Sequence, residues 1–161
     1  MHKHRERQPF LRSEVKNYKP GFDVGGLIVF LIIMIPDFVW FALPAPNDIL
    51  RGDSATETVD AAGSVFQFLT IAALCVLIRK ERLALKRGYI IAAGICVLIY
   101  YAGWALYYSG LTAPPVIAAL TLPPCLALLL YAVGRRNFAA VIFGSIFTLC
   151  HLIYGTVNFI I

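Results

Sequence analysis

Apolar residues run almost unbroken through five stretches of the chain, about Phe22–Leu43, Val59–Ile78, Tyr89–Ser109, Pro114–Gly134 and Phe138–Ile161. Each is close to the roughly 20 residues that carry a helix across hydrocarbon. In that medium the backbone must satisfy its own hydrogen bonds, and at this length only helices do so. The dyad alternation of a membrane barrel strand is absent. The first stretch is too long for a cleavable signal peptide, and four more follow it. The pattern predicts an all-α integral membrane protein: a basic tail over residues 1–21, then one five-helix transmembrane bundle over residues 22–161.

The connection Pro44–Asp60 has local character of its own. Pro44 and Pro46 stop the first helix, and Asn47 is placed to cap a short turn through Leu50. Ser54 followed by Glu57 reads as a capping box that starts the second helix about one turn above the membrane. The links at Arg79–Arg87 and Gly110–Ala113 are short, which predicts that spans two and three, and spans three and four, are antiparallel neighbours.

Composition agrees with this picture. Of 161 residues, 60% are hydrophobic and 14% charged, and the mean hydropathy is +0.76. A soluble domain is about 45–50% apolar and about 25% charged, so a small soluble enzyme, a disordered chain and a secreted disulfide scaffold are all excluded. The charges add an orientation. Of the 14 Lys and Arg residues, all but Arg51 fall in the tail, in the link after span two or in the link after span four. The positive-inside rule then places the N-terminus in the cytoplasm and the C-terminus outside, in a bacterial cytoplasmic (inner) membrane. The net charge of +5 therefore records topology and implies no nucleic-acid partner. The tail attracts anionic lipid headgroups, and Phe10, Leu11, Val15 and Tyr18 can settle part of it in the interface, with Pro9 limiting any helix. Cys75, Cys96, Cys125 and Cys150 all lie inside spans without a C-x-x-C pair and read as buried small apolar residues.

An ionisable group inside a span marks a functional site by default. Asp37 and His151 qualify. At about 1.5 Å of rise per residue, Asp37 lies roughly 22 Å and His151 roughly 20 Å from the inner ends of their spans, so they share a level in the outer half and meet if spans one and five are neighbours. Pro36 frees the carbonyl of Ile32 and is expected to kink the first helix, with a neighbouring group re-satisfying the backbone. Helical phasing gathers further polar positions. Gly144, Thr148, His151, Gly155 and Asn158 share a face of span five; Glu57, Asp60, Ser64 and Gln67 a face of span two; Tyr101, Trp104 and Tyr108 a face of span three, flanked by Tyr100 and Tyr107. Span four offers Pro114, Ala118, Thr121 and Cys125. The inner halves are almost wholly apolar.

No span contains a lysine for a Schiff base or a pair of haem-ligating histidines, and no metalloprotease, phosphate-loop or nucleophile-elbow motif occurs. No catalytic residue, metal or cofactor is assigned. The residues predict a non-enzymatic protein with an outward-facing pocket for a small, mostly apolar ligand, a cationic one included. Asp37 supplies the counter-charge, His151 its partner, Tyr101 and Trp104 aromatic walls, and Gln67 and Asn158 polar contacts. The acidic outer loop draws cations to the mouth. Binding, sensing or a transport-related role all fit such a pocket. Two alternatives stand beside it: an accessory or scaffold subunit whose polar stripes face another copy or a membrane partner, and a lipid- or isoprenoid-modifying enzyme using Asp37 and His151 as acid and base.

Overall fold

The computed structural model describes residues 17–80 and 86–161. The basic tail through Lys16, with Phe10, Leu11 and Val15, lies outside the described residues, as does Arg82. Five helices account for most of the rest: α1 (Val24–Ala42), α2 (Glu57–Val76), α3 (Arg87–Tyr108), α4 (Pro114–Gly134) and α5 (Phe138–Phe159). Each is long and apolar enough to cross a membrane.

Local chemistry sets the ends. Asp23 caps α1, its carboxylate accepting from the backbone N–H groups of Gly25 and Gly26. Pro114 and Pro115 open α4, where their missing N–H groups cost nothing. The α3–α4 turn passes through Gly110 at φ 91°, in the left-handed region that glycine enters freely. The α4–α5 turn instead places Arg136 there, at φ 52°. It is held by the N–H of Asn137 on the carbonyl of Ala132, the closure of a Schellman motif.

Two local expectations are corrected. Ser54 does not cap α2: the helix begins at Glu57 with Thr56 in the cap position. The Ser54 hydroxyl accepts from Thr56 N–H and donates to Asp60, so it closes a turn ahead of the helix. Asn47 does not cap the short 3-10 turn Ile49–Arg51, whose leading residue is Asp48. Its amide instead donates to the carbonyl of Gly110, tying two loops at the same end of the bundle.

The helix order in space also departs from the chain order. α4 is the hub and the most buried of the five helices, and α1 is the least buried. It packs between α3 and α5, and α5 in turn packs on α2. Spans three and four are neighbours as expected, whereas α2 makes no substantial contact with α3. The reason is a feature absent from a purely helical reading. After Val76 the chain extends as β2 (Leu77–Arg79) and pairs antiparallel with β1 (Tyr18–Pro20), register Tyr18↔Arg79. This ribbon docks the foot of α1 against the end of α2, with Gly21 N–H on Val76 and Asp23 N–H on Cys75. α1 therefore contacts α2, α3 and α4 and makes no substantial contact with α5.

Outward-facing apolar side chains cover the bundle. Phe38, Phe41, Phe68 and Leu98 are all more than half exposed, so these helices are apolar on their outer faces as well as inside.

Candidate functional site

A cavity of about 180 Å³ lies within the bundle, walled by α1, α3, α4 and α5, with Gln67 contributed by α2. Pro36 shapes the α1 wall. Its ring leaves the Ile32 carbonyl without a helical donor, and the Tyr101 hydroxyl fills that role at 2.7 Å. The next residue, Asp37, lines the cavity, and its Oδ1 accepts from the Tyr100 hydroxyl at 3.0 Å. Its Oδ2 has no hydrogen-bond donor among the described residues.

α3 also lines the cavity with Trp104, 6% exposed. Its ring is wedged edge-on between Tyr100 and Tyr107, with centroids 6.3 and 5.7 Å away. The indole N–H is buried without an acceptor. The Tyr100 hydroxyl, on the neighbouring ring, directs its own proton to Asp37. On α5, the His151 ring stacks between Phe147 and Tyr154, at 5.3 and 6.2 Å. Neither the imidazole nor the amide of Gln67 has a hydrogen-bond partner among the described residues. Four cavity residues thus keep unspent hydrogen-bonding capacity inside otherwise apolar walls, the arrangement of a small-molecule site.

A second hollow of about 240 Å³ lies beside the first, lined by Asp60, Ser64, Gln67 and Cys150 among others. Gln67, Phe147, His151 and Tyr154 line both. These four side chains form the partition.

The site residues expected from sequence divide. Asp37, Gln67, Trp104 and His151 are gathered around the cavity. Asp37 and His151 do not meet: their helices are not neighbours, Tyr100 takes the carboxylate, and the two groups face a shared space. Tyr101 is not a cavity wall, because its hydroxyl is turned to the Ile32 carbonyl; Tyr100, expected on the flank, takes that place. Asn158 is consumed structurally. Its Oδ1 accepts from Ala55 N–H at 2.6 Å and its Nδ2 donates to Thr56 Oγ1 at 2.8 Å, pinning the start of α2 to the end of α5. On α4, Thr121 and Cys125 reach the cavity while Pro114 and Ala118 are exposed.

Sequence reasoning missed the strap formed by residues 43–51 after α1, from which Leu50 lines the cavity. The Asp48 carboxylate accepts from Trp40 Nε1 at 2.9 Å, Arg51 Nε at 2.8 Å, Tyr107 Oη at 2.8 Å and Ala45 N–H at 3.3 Å. Burial alone would raise its pKa. The bonds from Trp40, Tyr107, Arg51 and Ala45 outweigh that and hold it below the usual carboxylate value. Arg51 also lies 4.8 Å over the Trp40 ring. Asp48 is therefore neutralised within the strap, and the acidic character of this end rests on Asp53, Glu57 and Asp60. The tyrosine spacing carried a usable signal: Tyr100 and Tyr101 recur seven residues later as Tyr107 and Tyr108, two pairs on one helix face two turns apart. All four hydroxyls donate to α1 or to the residues that follow it, Tyr108 to the Leu43 carbonyl.

Among the described residues no group of three His, Cys, Asp or Glu side chains is placed to hold a metal ion, and all four cysteines are free. No known family model matches the sequence, and no curated protein or solved structure matches the chain significantly.

Proposed function

We propose that the chain is a multi-pass protein of a bacterial cytoplasmic membrane, with its N-terminus inside, that binds a small, mostly apolar ligand with a cationic head in the central cavity. One observation carries the reading: a cavity with apolar walls is lined both by a carboxylate with a free oxygen, Asp37, and by a buried indole without an acceptor for its N–H, Trp104. An unmade hydrogen bond on a buried group costs about 1–3 kcal/mol, and a ligand that supplies the partner recovers it.

Size limits the ligand. An apolar cavity of about 150 Å³ accommodates benzene, so about 180 Å³ suits one ring with a short polar substituent. The head donates to Asp37 Oδ2, and an acceptor beside it takes the Trp104 N–H. The approach runs from the acidic end through the adjoining hollow beside Asp60 and Ser64 and past the Gln67–His151 partition. The role is binding or sensing, without catalysis.

A thermal-shift screen of the purified chain against monocyclic amines and their uncharged analogues tests this. An amine should raise the midpoint of the native protein, and Asp37→Asn, nearly isosteric, should weaken its binding about thirtyfold or more. Trp104→Phe should reduce it further for ligands that carry an acceptor. Equal affinity of the native and Asp37→Asn proteins for every amine that binds removes the counter-charge role. An absence of any binder, together with a stoichiometric membrane partner retained on gentle solubilisation, replaces this function with that of an accessory subunit.

A further inference from the structure

At the end opposite the Asp48 strap, β2, the foot of α1 and the α4–α5 turn enclose a third and larger hollow of about 310 Å³. Its polar side chains are Asp23, Arg79, Arg135 and Asn137. Every side-chain acceptor among them is already used. Asp23 Oδ1 accepts from the N–H groups of Gly25 and Gly26 and from the Tyr131 hydroxyl. Asp23 Oδ2 accepts from Arg135 Nε at 2.7 Å and Nη2 at 2.6 Å. Asn137 Oδ1 caps α5 at Ala140 N–H, and its amide donates to the carbonyls of Ala73 and Leu77.

The donors are not used up. Arg135 keeps its Nη1, and the guanidinium of Arg79 has no partner among the described residues. With one carboxylate and two guanidinium groups, the wall carries a net positive charge. It asks for a ligand that brings acceptors only, which is the chemistry of a phosphate, and arginine matches that geometry with a planar fork. The remaining wall is apolar and continues onto the outer surface at Phe22 and Val24, which are 59% and 58% exposed. A free phosphate has no use for those two side chains, whereas the first acyl carbons of a phospholipid do. Basic pockets between membrane helices hold anionic headgroups in this manner.

We infer that this hollow binds an anionic phospholipid, its phosphate held between Arg79 and Arg135 and its acyl chains lying on Phe22 and Val24. The site is separate from the central cavity and stands whether or not that cavity takes an amine. The test is lipid binding by the full chain in neutral detergent, followed by native mass spectrometry and thermal shift. The probes are phosphatidylglycerol, phosphatidylcholine and inorganic phosphate.

Phosphatidylglycerol should be retained and raise the midpoint, with little effect from the other two. Arg79→Gln should weaken retention about fivefold, and Arg79→Lys, which keeps the charge and loses the fork, should fall between Arg79→Gln and the native protein. Lys86→Gln removes an equal charge at the same end but outside the hollow, and should leave retention unchanged. Unaltered retention in Arg79→Gln overturns the site. Equal weakening in Lys86→Gln reduces it to bulk surface charge. Equal protection by inorganic phosphate overturns the lipid assignment.

Discussion

Replacing Asp48 with asparagine tests whether the strap is held by a single carboxylate. Four donors converge on it, from Trp40, Ala45, Arg51 and Tyr107, and its side chain is 10% exposed. Hydrogen bonds to a charged group contribute about 1.5–3 kcal/mol each when buried. The Arg51 bond is worth less, because that side chain is 41% exposed and screened by solvent. Asparagine retains one acceptor oxygen and sets its amide against the donors it replaces. The expected loss is about 2–4 kcal/mol, or roughly 4–16 °C in melting midpoint on the scale of a chain this long.

Trp40 sits in the strap and reports its release directly by fluorescence. The pH dependence carries a sign of its own. The folded pKa of Asp48 lies below the ordinary value, so its stabilisation is complete above the unfolded pKa of about 3.9. It is lost as pH falls through the lower, folded value. As pH falls below about 5 the native protein should lose stability more steeply than Asp48→Asn. A midpoint within one degree of native, or an unchanged acid slope, refutes the reasoning.

Other perturbations address the packing. Tyr101→Phe should cost about 0.6–2 kcal/mol, the worth of an interhelical polar contact in a membrane. In a Pro36→Ala background, where the helix again supplies a donor to Ile32, most of that cost should vanish; additive losses in chemical unfolding would sink the explanation. Gly155→Ala would place a Cβ 2.8 Å from Thr121 Oγ1 at the cavity wall and should destabilise by about 1–3 kcal/mol. Gly94→Ala meets nothing within 4 Å and should be neutral or stabilising by up to about 1 kcal/mol; a loss there would reveal a contact on the outer face of α3.

The five helices were legible because hydrophobic length alone specifies them, and the consequence of Pro36 followed from its missing N–H. Asp37, Gln67, Trp104 and His151 were likewise legible, since polar groups on apolar helices turn toward shared interior space. The helix neighbours were legible only in part: α3 and α4 pair as their short link predicts, whereas α2 and α3 do not. The ribbon of Tyr18–Pro20 with Leu77–Arg79 is too short to carry a strand pattern, yet it docks the foot of α1 on the end of α2. Nor does helical phase decide between Tyr100 and Tyr101, because adjacent residues differ by about 100° and the centre of the buried face depends on the partner helix. Asn158 and Asp23 show the same limit from the other side. A polar residue near a helix end serves a ligand or a loop equally well until the loop is in place.

The tyrosine pairs of α3 bear on how the molecule comes apart. α1 is the least buried helix, and a row of phenolic O–H bonds supplements its sparse contact with α3. Such bonds break singly and reform without repacking a core, whereas α4 cannot leave without dismantling its contacts with both α3 and α5. α1 with its strap is thus a leaf hinged at the ribbon, and amide hydrogen exchange should find it the first segment to open and α4 the last. A ligand held by Asp37 on that leaf and Trp104 on the fixed body would latch the leaf shut, and slowed exchange along α1 would register occupancy at the bundle's loosest seam.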